Sequence, residues 1–276
     1  MRMFNKVVII GTGLIGGSLG KAIKNKNLAR IIFGLSRHKK NTRLAKKIGA
    51  IDIIGNDLRI VRGADLIILA TPPDAIIDIA LKIKDKLKKD CIVIDVGSTK
   101  EKIVSKLNLI FTNFVGCHPL AGSEKRGVVN LESSIFNSSI CLITPTILTN
   151  KKALKKVKEF WIKIGSKIVV ISPKKHDQAL AQTSHLPHVV AFTLMNSIPE
   201  NFLFLSSNGL RDTTRISGSD PDLWSRIFLS NRNNLLSAIT SYQSKLESLK
   251  LALKNEDKKL LIKILKVAYK KREKLG

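Results

Sequence analysis

Along the first 172 residues, short apolar runs alternate with longer segments of helical spacing. KVVII at 6–10, IIFGL at 31–35, DLIILA at 65–70 and CIVIDV at 91–96 are rich in Ile and Val and lack polar alternation. Runs of that kind are strands buried on both faces. Between them, 14–24 and 74–87 repeat their apolar residues at steps of three and four, the period of an amphipathic helix. The pattern predicts a parallel sheet in a doubly wound α/β domain. Two further runs, SICLIT at 139–144 and KIVVIS at 167–172, flank a Lys-rich helix at 151–164 and extend that sheet.

After Ser172 the pattern changes. Ser172-Pro173 reads as a helix cap followed by proline in the first helical position, and everything beyond it is helical in character. A second start of the same kind stands at Asp220-Pro221. The expected division is therefore 1–172, an α/β domain, and 173–276, an all-α domain, with strand passing directly into helix. Leu235, Ile239, Tyr242, Leu246, Leu249 and Leu253 recur at alternating steps of four and three. Such a stripe suits a helix packed lengthwise on another, in the core or across a subunit interface. The last helix, 258–274, is expected to bury Leu261, Ile264, Leu265 and Ala268 and to be basic elsewhere.

Composition adds one conspicuous feature. The 276 residues hold 48 Lys and Arg against 21 Asp and Glu, a formal charge of +27. That charge points to a polyanion partner, but 36 of the 48 cations are Lys and they are scattered along the chain. Sequence readers of nucleic acid favour Arg for its bidentate geometry, so the charge reads as solvated surface and no nucleic-acid partner is expected. No membrane span is expected either. The most apolar stretch, 64–81, carries Asp65, Pro72, Pro73, Asp74 and Asp78, too polar for lipid. Arg2 and Lys6 precede an apolar run as in a secretion signal, but that run is glycine-rich and no cleavage pattern follows. Cys91, Cys117 and Cys141 are odd in number and lack metal spacing, as expected of buried thiols in a reducing, cytoplasmic compartment.

The run at 6–10 enters Gly11-Thr12-Gly13-Leu14-Ile15-Gly16 and then a helix. G-x-G-x-x-G between strand and helix is the fingerprint of a Rossmann-type dinucleotide site. Gly11 permits the turn, Gly13 the approach of backbone to pyrophosphate, and Gly16 close packing of helix on strand. Leu14 and Ile15 open the helix whose free N–H groups meet the phosphates. An NAD-type site places a carboxylate about 20 residues on, against the ribose. Here that position is Ser36, followed by Arg37, His38, Lys39 and Lys40. A 2′-phosphate is then not repelled, and Arg37 can pair with it. NADP is expected as the preferred cofactor, with NAD as the alternative. Thr71-Pro72 follows the third of these strands, where ligands of open α/β sheets lie.

Past these come Asp95-Val96-Gly97-Ser98-Thr99-Lys100, then His118-Pro119-Leu120-Ala121-Gly122-Ser123-Glu124. Ser184-His185-Leu186-Pro187-His188, Thr213-Thr214-Arg215-Ile216 and Ser219-Asp220-Pro221-Asp222-Leu223-Trp224 lie in the helical part. In this order after the glycine loop, they resemble the prephenate and arogenate dehydrogenase family of tyrosine biosynthesis over nearly the whole chain. The resemblance implies a homodimeric NAD(P)-dependent enzyme that oxidatively decarboxylates a cyclohexadienol, with the helical domain closing the substrate site and dimerising. It implies His118 as general base and Ser98 as a residue hydrogen-bonding near that histidine and the nicotinamide. Ser98 also suits a plain helix cap. Arg215 matches the arginine that holds a substrate carboxylate. Arg211 stands where relatives often carry Lys, and His188 matches a substrate-side histidine. Glu124 matches a carboxylate that closes on the helical domain, and equally reads as a surface carboxylate. His185 and His188 share a helix face, but no third metal ligand has consistent spacing and no metal is expected. No chorismate mutase segment and no separate amino-acid-binding regulatory domain are expected. Prephenate is the leading substrate, and arogenate, or both as in a dual-specificity cyclohexadienyl dehydrogenase, the alternative.

Overall fold

The computed structural model describes residues 2–121 and 132–275. Eight strands form one sheet: β1 (Phe4–Ile10), β2 (Ala29–Leu35), β3 (Ile53–Ile54), β4 (Leu66–Leu69), β5 (Ile92–Asp95), β6 (Phe114–Pro119), β7 (Ile140–Thr144) and β8 (Lys167–Val170). Their order is β3-β2-β1-β4-β5-β6-β7-β8. All neighbours are parallel except β6 and β7. The first six strands thus follow the 3-2-1-4-5-6 order of a dinucleotide-binding sheet, with its switch point between β1 and β4.

The helices between the strands are α1 (Leu14–Asn25), α2 (Lys39–Lys47), α3 (Pro73–Ile83), α4 (Glu101–Ile110) and α5 (Lys151–Ile164). They explain why the strands are apolar throughout. In β1, Val7 and Ile9 face one core with Leu19 and Ile23 of α1 and Trp161 of α5. Val8 and Ile10 face the other, with Ile76 and Ile83 of α3 and Val104 and Leu107 of α4. Both sides of a strand are covered, so alternation disappears.

Beyond the sheet run α6 (Pro173–Leu180), a π-helical turn (Ala181–His185), α7 (Leu186–Ser197), α8 (Asn208–Thr214) and α9 (Pro221–Ser230). Ser172 caps α6 by accepting from the Lys175 N–H, and Asp220 caps α9 by accepting from Asp222 and Leu223. By compactness, 1–231 form one unit, in which α9 reaches α3 through an ion pair of Arg226 with Asp74, 2.6 Å long. A second unit, 232–276, contains α10 (Arg232–Lys254) and α11 (Lys258–Glu273).

Three details depart from the sequence reading. β6 lies in a stretch, Asn-Phe-Val-Gly-Cys-His-Pro, whose glycine, histidine and proline mask its strand character, and it reads in the sequence as motif rather than element. β7 runs antiparallel to β6, so the sheet is not wholly parallel. Finally, α11 buries none of its residues: Leu265 and Ala268 are exposed, and Leu261 and Ile264 are half-buried. A two-helix unit covers only part of an apolar stripe, and Tyr242, Leu246 and Leu253 of α10 are likewise exposed. Among the described residues, no helix is long and apolar enough to cross a membrane.

Candidate active site

Because β1, β2, β4, β5 and β6 are parallel, their C-terminal ends share one edge of the sheet. That edge carries Ser36 and Arg37 after β2, the glycine loop after β1, Thr71 and Pro72 after β4, Ser98 after β5, and His118 near the end of β6. Four inter-strand spacings separate β2 from β6, roughly 19 Å. The edge therefore offers an extended row of sites, with basic residues at one end and an imidazole at the other.

The glycine loop fits a dinucleotide. Gly11 has φ +101°, and a side chain there would sit 2.3 Å from the Ala70 carbonyl oxygen. A Cβ on Gly16 would sit 1.9 Å from the Gly11 carbonyl oxygen, so α1 packs against the loop only because that carbon is missing. Gly13 differs: a Cβ there would meet nothing within 4 Å. Its openness leaves room for a pyrophosphate where packing does not demand glycine. Gly13 is also the N-cap of α1 and makes no side-chain cap, which leaves the helix start to an anion. Leu14 and Ile15 are half-buried against the core behind it. Thr71, beside the loop, has a buried Oγ1 with no hydrogen-bond partner among the described residues, a polar atom in want of a ligand.

At the far end lies a cleft of about 840 Å³ lined by Ser36, Arg37, Lys39, Arg59, Lys82 and Lys86, with Asp57 and Asp85 among its other residues. Asp57 is neutralised in place: Arg59 grips both its oxygens at 2.6–3.1 Å. Lys40 is not part of the cleft lining.

His118 pairs across β6–β7 with Leu142. Its ring Nδ1 stands 2.9 Å from Nε2 of His176 on α6. The His176 Nδ1 stands 2.7 Å from Asp177 Oδ1. Asp177 also accepts the backbone N–H of Lys100 at 2.7 Å and of Glu101 at 2.9 Å, the two amides at the start of α4. So α4 is capped by a side chain 76 residues away, and Ser98, three residues before the helix, is not its cap. Below them, Lys100 and Asp95 form a fully buried ion pair at 2.5 Å. Burial, and then the unfavourable electrostatic influence of His176, Lys100 and His185, holds the His118 imidazole well below its ordinary pKa. It is a neutral base at physiological pH.

The helical side completes the wall. His185 is buried, with Nδ1 3.1 Å from Asn231 Nδ2, and burial pushes its pKa down to about 4. His188 Nδ1 donates to the Ser184 carbonyl at 2.9 Å, and its ring stacks on Trp224 with centroids 3.4 Å apart. Burial, outweighing that bond, and the charge of Arg215 lower the His188 pKa. Arg215 and Arg211, one turn apart, are exposed. The ring pair is engaged by protein partners, and no three His, Cys, Asp or Glu among the described residues form a metal cluster. Glu124 lies outside the described residues.

The chain matches prephenate dehydrogenase, nucleotide-binding domain, over residues 19–170 and prephenate dehydrogenase, dimerization domain, over residues 172–267. It belongs to the prephenate dehydrogenase family. Cyclohexadienyl dehydrogenase of Zymomonas mobilis is 32% identical over 284 residues, covering 99% of this chain and 96% of that protein. Prephenate dehydrogenase of Aquifex aeolicus, solved with hydroxyphenyl propionate and NAD+, superposes with a TM-score of 0.93 at 35% identity, over 99% of this chain and 98% of that one. Synechocystis arogenate dehydrogenase superposes with a TM-score of 0.84 at 29% identity, over 98% of this chain and all of that one. This prephenate dehydrogenase family member is thus an NAD(P)-dependent oxidoreductase with a Rossmann-type sheet and a helical dimerisation region.

Sequence reasoning missed His176, Asp177, Asn231 and the stack on Trp224. The first two stand together at 176–177 in the helix after the last strand. An adjacent imidazole and carboxylate facing inward from a helix start is the signal that would have found them.

Proposed function

We propose that the chain converts prephenate to 4-hydroxyphenylpyruvate, with NADP as preferred cofactor. The observation that carries this reading is His118, a neutral, densely surrounded imidazole on the edge that bears the glycine loop. The dinucleotide, when bound, accepts a hydride from the ring carbon bearing the 4-hydroxyl. His118 takes the hydroxyl proton as that carbon becomes a ketone. The bond from ring to carboxylate then breaks, its electron pair aromatises the ring, and CO2 leaves. The resulting phenolate oxygen takes a proton, which His118 is placed to return. Ser98 orients His118 and the nicotinamide. Arg215, with Arg211, holds the substrate carboxylates as fixed cationic forks, and His188 faces the substrate. Gly11, Gly13, Leu14, Ile15, Gly16, Thr71 and Pro72 hold the dinucleotide. Ser36 and Arg37 meet its 2′-phosphate in a cleft where one of the two carboxylates, Asp57, is already paired with Arg59. The functional division falls at 172. The exposed stripe of α10 and α11 forms a homodimer, and the enzyme works in the cytoplasm.

Two other readings each have a neighbour in favour: arogenate as substrate, from Synechocystis arogenate dehydrogenase, and NAD as cofactor, from the NAD+ complex of the Aquifex aeolicus prephenate dehydrogenase. A matrix of two substrates by two cofactors decides. The proposal expects the highest kcat/KM for prephenate with NADP, and a higher value for arogenate or for NAD overturns that part. His118→Asn is expected to lower kcat by about 10²–10⁴-fold; near-normal turnover overturns the base assignment.

A further inference from the structure

We propose that His176 and Asp177 are positioning residues that set the tautomer of His118, through two consecutive hydrogen bonds, so that its Nε2 is the bare nitrogen. The proposal rests on His118 as the base. Asp177 fixes the first of these bonds. Its carboxylate is buried and accepts two backbone N–H groups at the positive end of α4. Such a site favours the anion, and an ionised carboxylate can only accept. The 2.7 Å bond to His176 therefore requires the proton on His176 Nδ1.

His176 is itself fully buried. The groups facing it are Asp177 on its own helix, Lys100 at the start of α4, Asp95 on β5 and His118 on β6. Burial is the largest influence and disfavours the imidazolium; Lys100 adds to it, and the two carboxylates oppose. Neutral His176 with its proton on Nδ1 has a bare Nε2. The 2.9 Å contact between that atom and His118 Nδ1 needs one proton, which must then belong to His118. A neutral His118 with its proton on Nδ1 carries its lone pair on Nε2. The opposite tautomer would present an N–H to the substrate hydroxyl and could not take its proton.

The same bond changes strength during the reaction. Once His118 has taken a proton, its Nδ1–H donates from an imidazolium, and charge-assisted bonds are stronger than neutral ones. The interaction is thus worth more in the transition state than in the ground state, and its loss falls on kcat rather than on KM. Nothing in this arrangement moves a proton along the chain of residues: it only holds the direction of two N–H groups. A buried polar cluster serving stability alone would satisfy the same atoms, so the test needs a readout that stability does not move.

Three variants and one spectrum supply it. His176→Leu removes the acceptor and is expected to lower kcat roughly 100-fold, within what a general base contributes, with KM for both substrates near wild type. His176→Gln restores a carbonyl acceptor for His118 Nδ1 and is expected to recover most of the rate. Asp177→Ala removes the acceptor of the His176 Nδ1–H, so that neither tautomer is fixed any longer, again lowering kcat with KM retained. Ring-nitrogen NMR of histidine-labelled, dinucleotide-bound protein reads the tautomers directly. The His118 and His176 signals are identified by their loss in His118→Asn and His176→Gln. Wild type is expected to carry the proton of each on Nδ1, and Asp177→Ala to spread that of His118 over both ring nitrogens. A wild-type His118 protonated on Nε2 overturns the proposal. So does an unchanged tautomer and kcat in Asp177→Ala. The spectra need no turnover, so they judge these two bonds even if His118→Asn stays active and the base assignment fails.

Discussion

Gly13 and Gly16 stand three residues apart, and a methyl group has opposite effects at the two. At Gly16 it would lie 1.9 Å from the Gly11 carbonyl and 3.0 Å from Ala70 Cβ, both fixed parts of the loop and strand. Gly16→Ala is therefore expected to destabilise the fold by about 1–3 kcal/mol, as overpacking does, and to weaken dinucleotide binding as the loop shifts. At Gly13 the same methyl meets no protein atom within 4 Å. Gly13→Ala is expected to unfold in urea within about 0.5 kcal/mol of wild type, while a fluorescence titration shows dinucleotide affinity much reduced. Equal binding by Gly13→Ala and wild type would mean that the open space is not the pyrophosphate seat. The contrast also shows how far the sequence is legible at this scale. The glycine spacing names the loop, and His118 and Ser98 are singled out as candidates through motif. What surrounds His118 is not, because His176 is 58 residues away and Asp177 acts on the start of a helix 76 residues before it. Long-range hydrogen bonds between polar residues leave no periodic trace.

Among the elements, α5 has the most complete local instructions. Asn150 accepts from the Lys152 and Ala153 N–H groups, and Gly165 ends the helix in the left-handed region at φ 112°. Between them Val157, Phe160, Trp161 and Ile164 are buried, with Phe136 packed edge-on to Trp161. Asn150→Ala is expected to cost about 1 kcal/mol, the usual worth of such a cap, read as a lower urea midpoint at constant slope. This is why the helix at 151–164 and the strands beside it are visible in the hydrophobic pattern. The pattern fails at β6, whose pairing with β5 and β7 compensates for a glycine, a histidine and a proline that no isolated strand would choose. It also fails at α11, where periodicity marks an apolar face but not what covers it.

For the whole molecule, the buried histidines tie stability to pH. His118, His176 and His185 all titrate below 6.5 in the folded protein, His185 at about 4, with burial the leading cause. An unfolded chain takes up those protons near 6.5 and the folded one does not, so stability falls as pH drops below 6.5. Asp95, pushed up by burial, works in the opposite direction, but it is one group against three. A loss on the order of a few kcal/mol between pH 6.5 and about 4 is expected, measured by urea unfolding across that window. A flat profile would show that these histidines are not neutral in the folded state. Between pH 7 and 9 the three contribute no slope, since both states leave them unprotonated. The charge of +27 enters this balance as self-repulsion throughout the range.

The His118 imidazole is carried by a strand and not by a loop. The backbone at His118 sits opposite Leu142 in the β6–β7 ladder, flanked by Cys117 and Pro119, which are buried. Displacing it means parting two strands of the main sheet, among the costliest local openings a protein can make. Warming therefore cannot first loosen this imidazole and later melt the fold, as it can where a side chain hangs on a mobile segment. Positional accuracy at that nitrogen is a cooperative property, kept whole until the sheet itself gives way.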